Sequence, residues 1–168
     1  MVPRHFLVAS ATLALLAVSA CGSSGSATPA STPTPTASPS CVNAKAAHRA
    51  YVVLQHGNGS VAQRCVGFDA ATLTGDDLMK QSGVAVQTQS FSGLGLAYCA
   101  IDNEPAQFDK CFPSSGPSWQ LFVSKSGGPF QPAQTGAGAV NLQDRDALGW
   151  KYAVFSPSAS PPPLPSPK

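Results

Sequence analysis

Ala97-Tyr98-Cys99-Ala100-Ile101-Asp102-Asn103-Glu104-Pro105, then Cys111-Phe112-Pro113, then Trp119-Gln120-Leu121-Phe122-Val123: this stretch decides how the chain folds. An apolar run with strand character ends at a cysteine and the two residues after it. A polar loop follows, closes on a second cysteine, and gives way to an aromatic-led strand. A bridge between Cys99 and Cys111 would staple this excursion and fix how the two flanking strands pair. Three carboxylates, Asp102, Glu104 and Asp109, fall in or beside the loop, where they read as solvated surface charge.

Two more cysteines, Cys41 and Cys65, lie upstream, and Cys21 stands apart near the N-terminus. Four cysteines in an exported chain read as a disulfide framework with three possible connectivities. The short span favours Cys99–Cys111, which leaves Cys41–Cys65. No pair is spaced Cys-x2-4-Cys and no His-x3-5-His accompanies them, so a zinc site is not indicated.

Export is read from the N-terminus. Residues 6–20 form an apolar run of about 15 residues after Arg4 and His5. That is shorter than the roughly 20 residues a membrane-crossing helix needs and fits the core of a signal peptide, residues 1–20. Val18-Ser19-Ala20-Cys21 resembles the bacterial lipoprotein lipobox. The resemblance implies cleavage before Cys21, lipidation of its sulfur and anchoring on the outer face of the bacterial cell membrane, with acyl chains as the membrane contact. Residues 21–40 are almost wholly Ser, Thr, Pro, Ala and Gly, and residues 156–168 are Pro- and Ser-rich. Neither has an apolar face to offset ordering entropy, so both read as disordered tethers.

Residues 41–155 remain as one domain of ordinary size. Its eight basic and eight acidic residues cancel. A neutral domain without clustered Lys and Arg is not a nucleic-acid binder. Strand-like residues 46–55 and 61–68 flank Gly57-Asn58-Gly59, which predicts a hairpin. His48 and His56 lack a third partner and read as solvent-facing or turn residues. Residues 72–83 predict a helix capped by Thr74, with Asp76 and Asp77 at its positive end, Leu73, Leu78 and Met79 inward, and Gly83 past its end. Weak strands follow, then the stapled element, then residues 141–155 with Trp150 and Tyr152. The order β-β-α-β-β-β predicts an α+β fold, a mixed sheet with one face on a short helix.

Several of these residues also carry a family resemblance: Thr74-x-x-Asp77-Leu78-Met79, Cys99-Ala-Ile-Asp102, Trp119-x-Leu-Phe122, Thr135-Gly136-Ala137 and Asp144-Arg145-Asp146-Ala-Leu-Gly-Trp150-Lys-Tyr152. Over residues 46–153 the chain resembles the transcobalamin-like C-terminal domain family. The resemblance implies a small β-grasp-like fold. In that family's animal members the domain closes over cobalamin as a lid on a helical barrel, and no such barrel is encoded in these 168 residues. Arg145 stands where the family's turn commonly has glycine.

No Gly-x-Ser-x-Gly, His-Glu-x-x-His or phosphate loop is present, and an enzyme is not indicated. Two functions from different classes stand. The first is a non-catalytic interaction module, presented by the anchor to an envelope protein or polymer. The second is capture of a small, corrinoid-like ligand, with Trp119, Trp150 and Phe130 as pocket walls and Asp102 as a polar contact.

Overall fold

A computed structural model describes residues 41–92, 95–157 and 160–165. Residues 1–20, expected to be a signal peptide, Cys21 and the expected tether of residues 22–40 lie outside the described residues, as do residues 93 and 94. Strands β1 (His48–Gln55) and β2 (Val61–Phe68) form the antiparallel hairpin expected from the Gly-Asn-Gly turn. A two-residue strand β3 (Leu73–Thr74) leads into helix α1 (Gly75–Gln81), and β4 (Val86–Phe91) and β5 (Gly95–Ile101) follow. Next come β6 (Pro117–Ser124), β7 (Gln131–Pro132), a 3-10 turn (Ala137–Ala139), β8 (Asn141–Leu142) and β9 (Ala147–Val154).

The principal sheet has the order β2-β1-β9-β6-β7 and is mixed, because β1 and β9 run parallel at its centre. Strand β6 is antiparallel to β9, with Trp119 opposite Tyr152 and Leu121 opposite Trp150. The pairs β3-β8 and β4-β5 stand as separate small sheets. More strands therefore exist than the order β-β-α-β-β-β anticipates. A weak strand expected after the helix is β4, and it pairs antiparallel with β5, which runs into the stapled element. The two-residue strands are too short to carry a period of two.

Both disulfides form as expected, Cys41–Cys65 and Cys99–Cys111. The second acts differently from the expectation. Strands β5 and β6 do not pair: β5 belongs to the β4-β5 ribbon and β6 to the principal sheet. The bond therefore ties β5 to the loop that leads into β6. The first holds residue 41 against β2, where Val42 N–H donates to the Cys65 carbonyl and Gly67 N–H to that of Val42. Closing loops of 24 and 12 residues contributes roughly 3 kcal/mol apiece through the unfolded chain.

Helix α1 begins as the sequence dictates. The Thr74 hydroxyl accepts from Asp77 N–H at 3.1 Å and donates to the Asp77 carboxylate at 2.7 Å. Gly83 adopts φ +70°, the left-handed conformation that ends a helix. Leu78 and Met79 are buried against Ala50, Val52, Leu54, Leu148 and Trp150 of the principal sheet.

Residues 50–54 of β1 are all buried, so both faces of the central strand are covered. Their continuous apolar run suits a parallel-paired strand better than the alternation of a half-exposed one. The second face carries Tyr51, Val53, Cys65, Phe122 and Ala147 in a cluster with Phe130. Phe130 packs close against β9 on this face because β9 has glycine there: a Cβ at Gly149 would fall 2.8 Å from its ring. One face of the sheet thus packs on the helix as expected, and the other carries a smaller core of its own.

The Asp144-Arg145-Asp146 turn seats β9 beside β1. Arg49 N–H donates to the Asp144 carboxylate at 2.9 Å, and Arg145 N–H donates to the Arg49 carbonyl at 2.7 Å. Arg145 sits at φ +66°, a conformation costing a side-chain-bearing residue roughly 1–2 kcal/mol. Its contact with Asp144 is 3.6 Å long and exposed, which contributes little. Replacing Arg145 with glycine should therefore raise stability by up to about 1 kcal/mol, glycine's greater unfolded-state entropy offsetting part of the gain. Denaturant titration of the two intact chains checks this, and a destabilised variant would contradict it.

Candidate functional site

At one end of the principal sheet, the turn after β1 meets the start of the stapled loop. Strand β5 ends in a reverse turn made by Asp102 (φ +52°) and Asn103 (φ +63°), two residue types that tolerate positive φ. Ile101 and Glu104 exchange both backbone hydrogen bonds across it, at 2.9 and 3.0 Å. The turn aims Glu104 back at the hairpin. His56 Nδ1–H donates to Glu104 Oε2 at 2.8 Å, and its Nε2 lies 3.5 Å from Asp102 Oδ2. The Gly57 N–H points at the same Glu104 carboxylate at 3.3 Å. Trp119 Nε1–H donates to the Glu104 carbonyl at 2.6 Å, its ring edge-on to His56 at 5.7 Å and tilted on Tyr152 at 5.3 Å. Burial and the nearby Glu104 charge push the Tyr152 phenol up.

This corner corrects two expectations. His56 is neither a free turn residue nor solvent-facing, since its side chain is 15% exposed and its Nδ1 is hydrogen-bonded to Glu104. Glu104 is not a solvated loop charge but the hub of the corner. His56 and Glu104 are 48 residues apart, and no local pattern signals their meeting. The Asp-Asn turn chemistry before Glu104 was the one legible clue.

Among the residues singled out from sequence, Asp102 reaches this corner and so does Trp119, but Trp119 is only 4% exposed. Trp150 is equally buried in the helix-side core, its ring tilted against that of Tyr98 at 4.8 Å. Phe130 lies in the cluster on the opposite face of the sheet. The three aromatics do not line one pocket. The paired aspartates also divide their labour. Asp77 completes the Thr74 cap with its N–H and carboxylate, whereas Asp76 accepts from the Tyr98 hydroxyl at 2.8 Å.

Burial and the Asp76 carboxylate hold the Tyr98 phenol far above its ordinary range near 10. A raised acid stays protonated in the folded chain while its unfolded counterpart ionises. The resulting stabilisation is complete below about pH 10 and is lost as pH climbs above it. Wild-type stability should thus fall more steeply above pH 10 than that of Tyr98→Phe. Parallel urea titrations from pH 8 to 11.5 read this, and equal slopes would refute it.

Beyond the corner, the stapled loop encloses an open cavity of about 370 Å³ lined by Pro105, Phe108, Lys110, Pro113, Pro117 and Tyr152. At its margin Phe112 is 53% exposed and meets Phe91 of β4 at 5.5 Å. The loop thus leans on the β4-β5 ribbon. Among the described residues, no three His, Cys, Asp or Glu side chains converge as a metal-ligand set.

Comparison with known proteins adds little to this geometry. No protein-family model matches the chain. No curated protein matches it. One solved structure, described as a "putative metal binding protein" from Ruminococcus gnavus ATCC 29149, is similar over 65% of this chain and 99% of its own, at 19% identity and a TM-score of 0.46.

Proposed function

We infer that the chain is an exported lipoprotein whose disulfide-stapled domain is a non-catalytic interaction module. Cys21 carries the acyl chains, residues 22–40 are the spacer, and the outer face of the bacterial cell membrane is the site of action. The domain is read as β-grasp-like and akin to the transcobalamin-like C-terminal domain. The order β2-β1-β9-β6, with a parallel central pair and a helix across one face, supports that reading. Two disulfides suit an oxidising compartment outside the cytoplasm.

The observation that carries the functional reading is the stapled loop. It is anchored at both ends, by Cys99–Cys111 and by the Glu104 hub, and it bears an exposed aromatic beside a proline-lined cavity. An ordered, exposed aromatic on a rigid base is what a protein or polymer partner can use as an anchor. The polar groups of the corner are engaged with one another and so serve shape. Corrinoid capture is the less supported alternative, because Trp119 and Trp150 are committed to the interior and Phe130 to the other face.

Two measurements test the reading. Cys21→Ser should move the protein from the membrane fraction to the soluble one; retention on the membrane would place the anchor elsewhere. A photocrosslinking residue at Phe112 in the intact lipoprotein should trap a reproducible envelope partner that the same probe at Lys45 does not. Equal yields at both positions would overturn the assignment of the loop as the contact surface.

A further inference from the structure

The second face of the principal sheet is covered in part by the chain's own tail. The Lys151 ammonium, on β9, donates to the Ser160 carbonyl at 2.7 Å. Pro162 is buried. Leu164 and Pro165 then form one wall of a cavity of about 570 Å³, opposite Arg49, Tyr51, Asp144 and Arg145. Residues 160–165, Ser-Pro-Pro-Pro-Leu-Pro, thus lie against the domain, although their composition reads as a solvated spacer. The departure has a physical reason. Four of the six residues are proline, so the segment is already extended and loses little entropy on docking.

We propose that this face is a docking groove for a proline-rich extended segment, and that the chain's own tail occupies it in cis. Proline has a carbonyl but no N–H, so such a segment presents acceptors and almost no donors. The groove offers the complement. Lys151, Arg49 and Arg145 can only donate, and Lys151 already does so to Ser160. Tyr51 supplies the aromatic floor that proline-rich segments favour. The carboxylate of Asp144 is turned to the Arg49 amide and the Arg145 side chain and leaves the cations to dominate. The tail acts as a strap. It shields the β1 face and is displaced only by a segment of the same chemistry at sufficient concentration. This proposal is independent of the stapled loop, which lies at residues the strap does not touch.

The test uses the intact lipoprotein and a fluorescein-labelled nonapeptide with the sequence of residues 160–168. In a Pro162→Asp/Leu164→Asp variant the groove is vacated, and the peptide should bind saturably by anisotropy. To the wild type it should bind at least tenfold more weakly, because a tethered competitor acts at about millimolar effective concentration. Adding Lys151→Ala to the vacated variant should weaken the peptide. No saturable binding to the vacated variant overturns the groove. Equal affinity for variant and wild type overturns occupancy in cis. Wild-type dimers that disappear in the variant show the strap exchanged between two copies, which also overturns it. Should the double variant fail to fold, Leu164→Ser alone is titrated, with the same outcomes.

Discussion

Replacing Asp146 with alanine should destabilise the intact chain by about 3 kcal/mol, among the largest effects of any single polar substitution here. The Asp146 side chain is 2% exposed yet fully engaged. Its carboxylate accepts from the Ser126 N–H, the Gln143 N–H and the Lys125 ammonium, each at 2.8 Å. Its removal takes the acceptor from two part-buried backbone donors, at up to roughly 1–3 kcal/mol each where water does not replace it. Lys125 is 57% exposed and regains water when Asp146 is removed, whereas Lys125→Ala leaves the buried carboxylate its two N–H donors but no cation and should cost about 1–2 kcal/mol. The contrast between the two variants is the informative quantity. Thermal unfolding should place the Asp146→Ala midpoint lower by about 10 °C or more. A shift no larger than that of Lys125→Ala would mean the backbone donors find other acceptors.

Trp119→Ala should cost about 3–5 kcal/mol, the range for an aromatic truncated inside a packed core. Two losses combine. The cavity removes the surface on which His56 and Tyr152 pack. The Glu104 carbonyl also loses one of its two donors and keeps only the Ile101 N–H. Trp119→Phe separates them: it keeps most of the packing and should cost about 1–2 kcal/mol. Chemical denaturation of both variants provides the numbers. If phenylalanine proves as damaging as alanine, the hydrogen bond to Glu104 outweighs the packing.

The elements legible in the sequence were those whose determinants are local. The hairpin follows from Gly57-Asn58-Gly59, and the helix from Thr74, Asp77 and Gly83, with boundaries set by their own backbone preferences. The disulfide pairing followed from spacing. What escaped depends on residues far apart in the chain. His56 and Glu104 meet only because β1 and β5 end at the same edge of the fold. Tyr98 reaches Asp76 across 22 positions. The three aromatics were grouped by type, but on a sheet the alternation of faces decides. Trp119 and Trp150 point to the helix side while Phe130 covers the other face over Gly149.

The parallel pairing of β1 with β9 also bears on when this domain can fold. Tyr51 lies opposite Ala147, so the centre of the sheet joins the beginning of the domain to its end. A chain emerging N-terminus first can form the β1-β2 hairpin early, but the inner edge of β1 stays unpaired until nearly the whole domain has appeared. Contacts of such long sequence separation close late, after the entropy of a long loop has been overcome. For the exported lipoprotein proposed above, which would cross a membrane as an extended strand, that delay would be an advantage. The topology itself keeps the chain threadable until its last strand arrives.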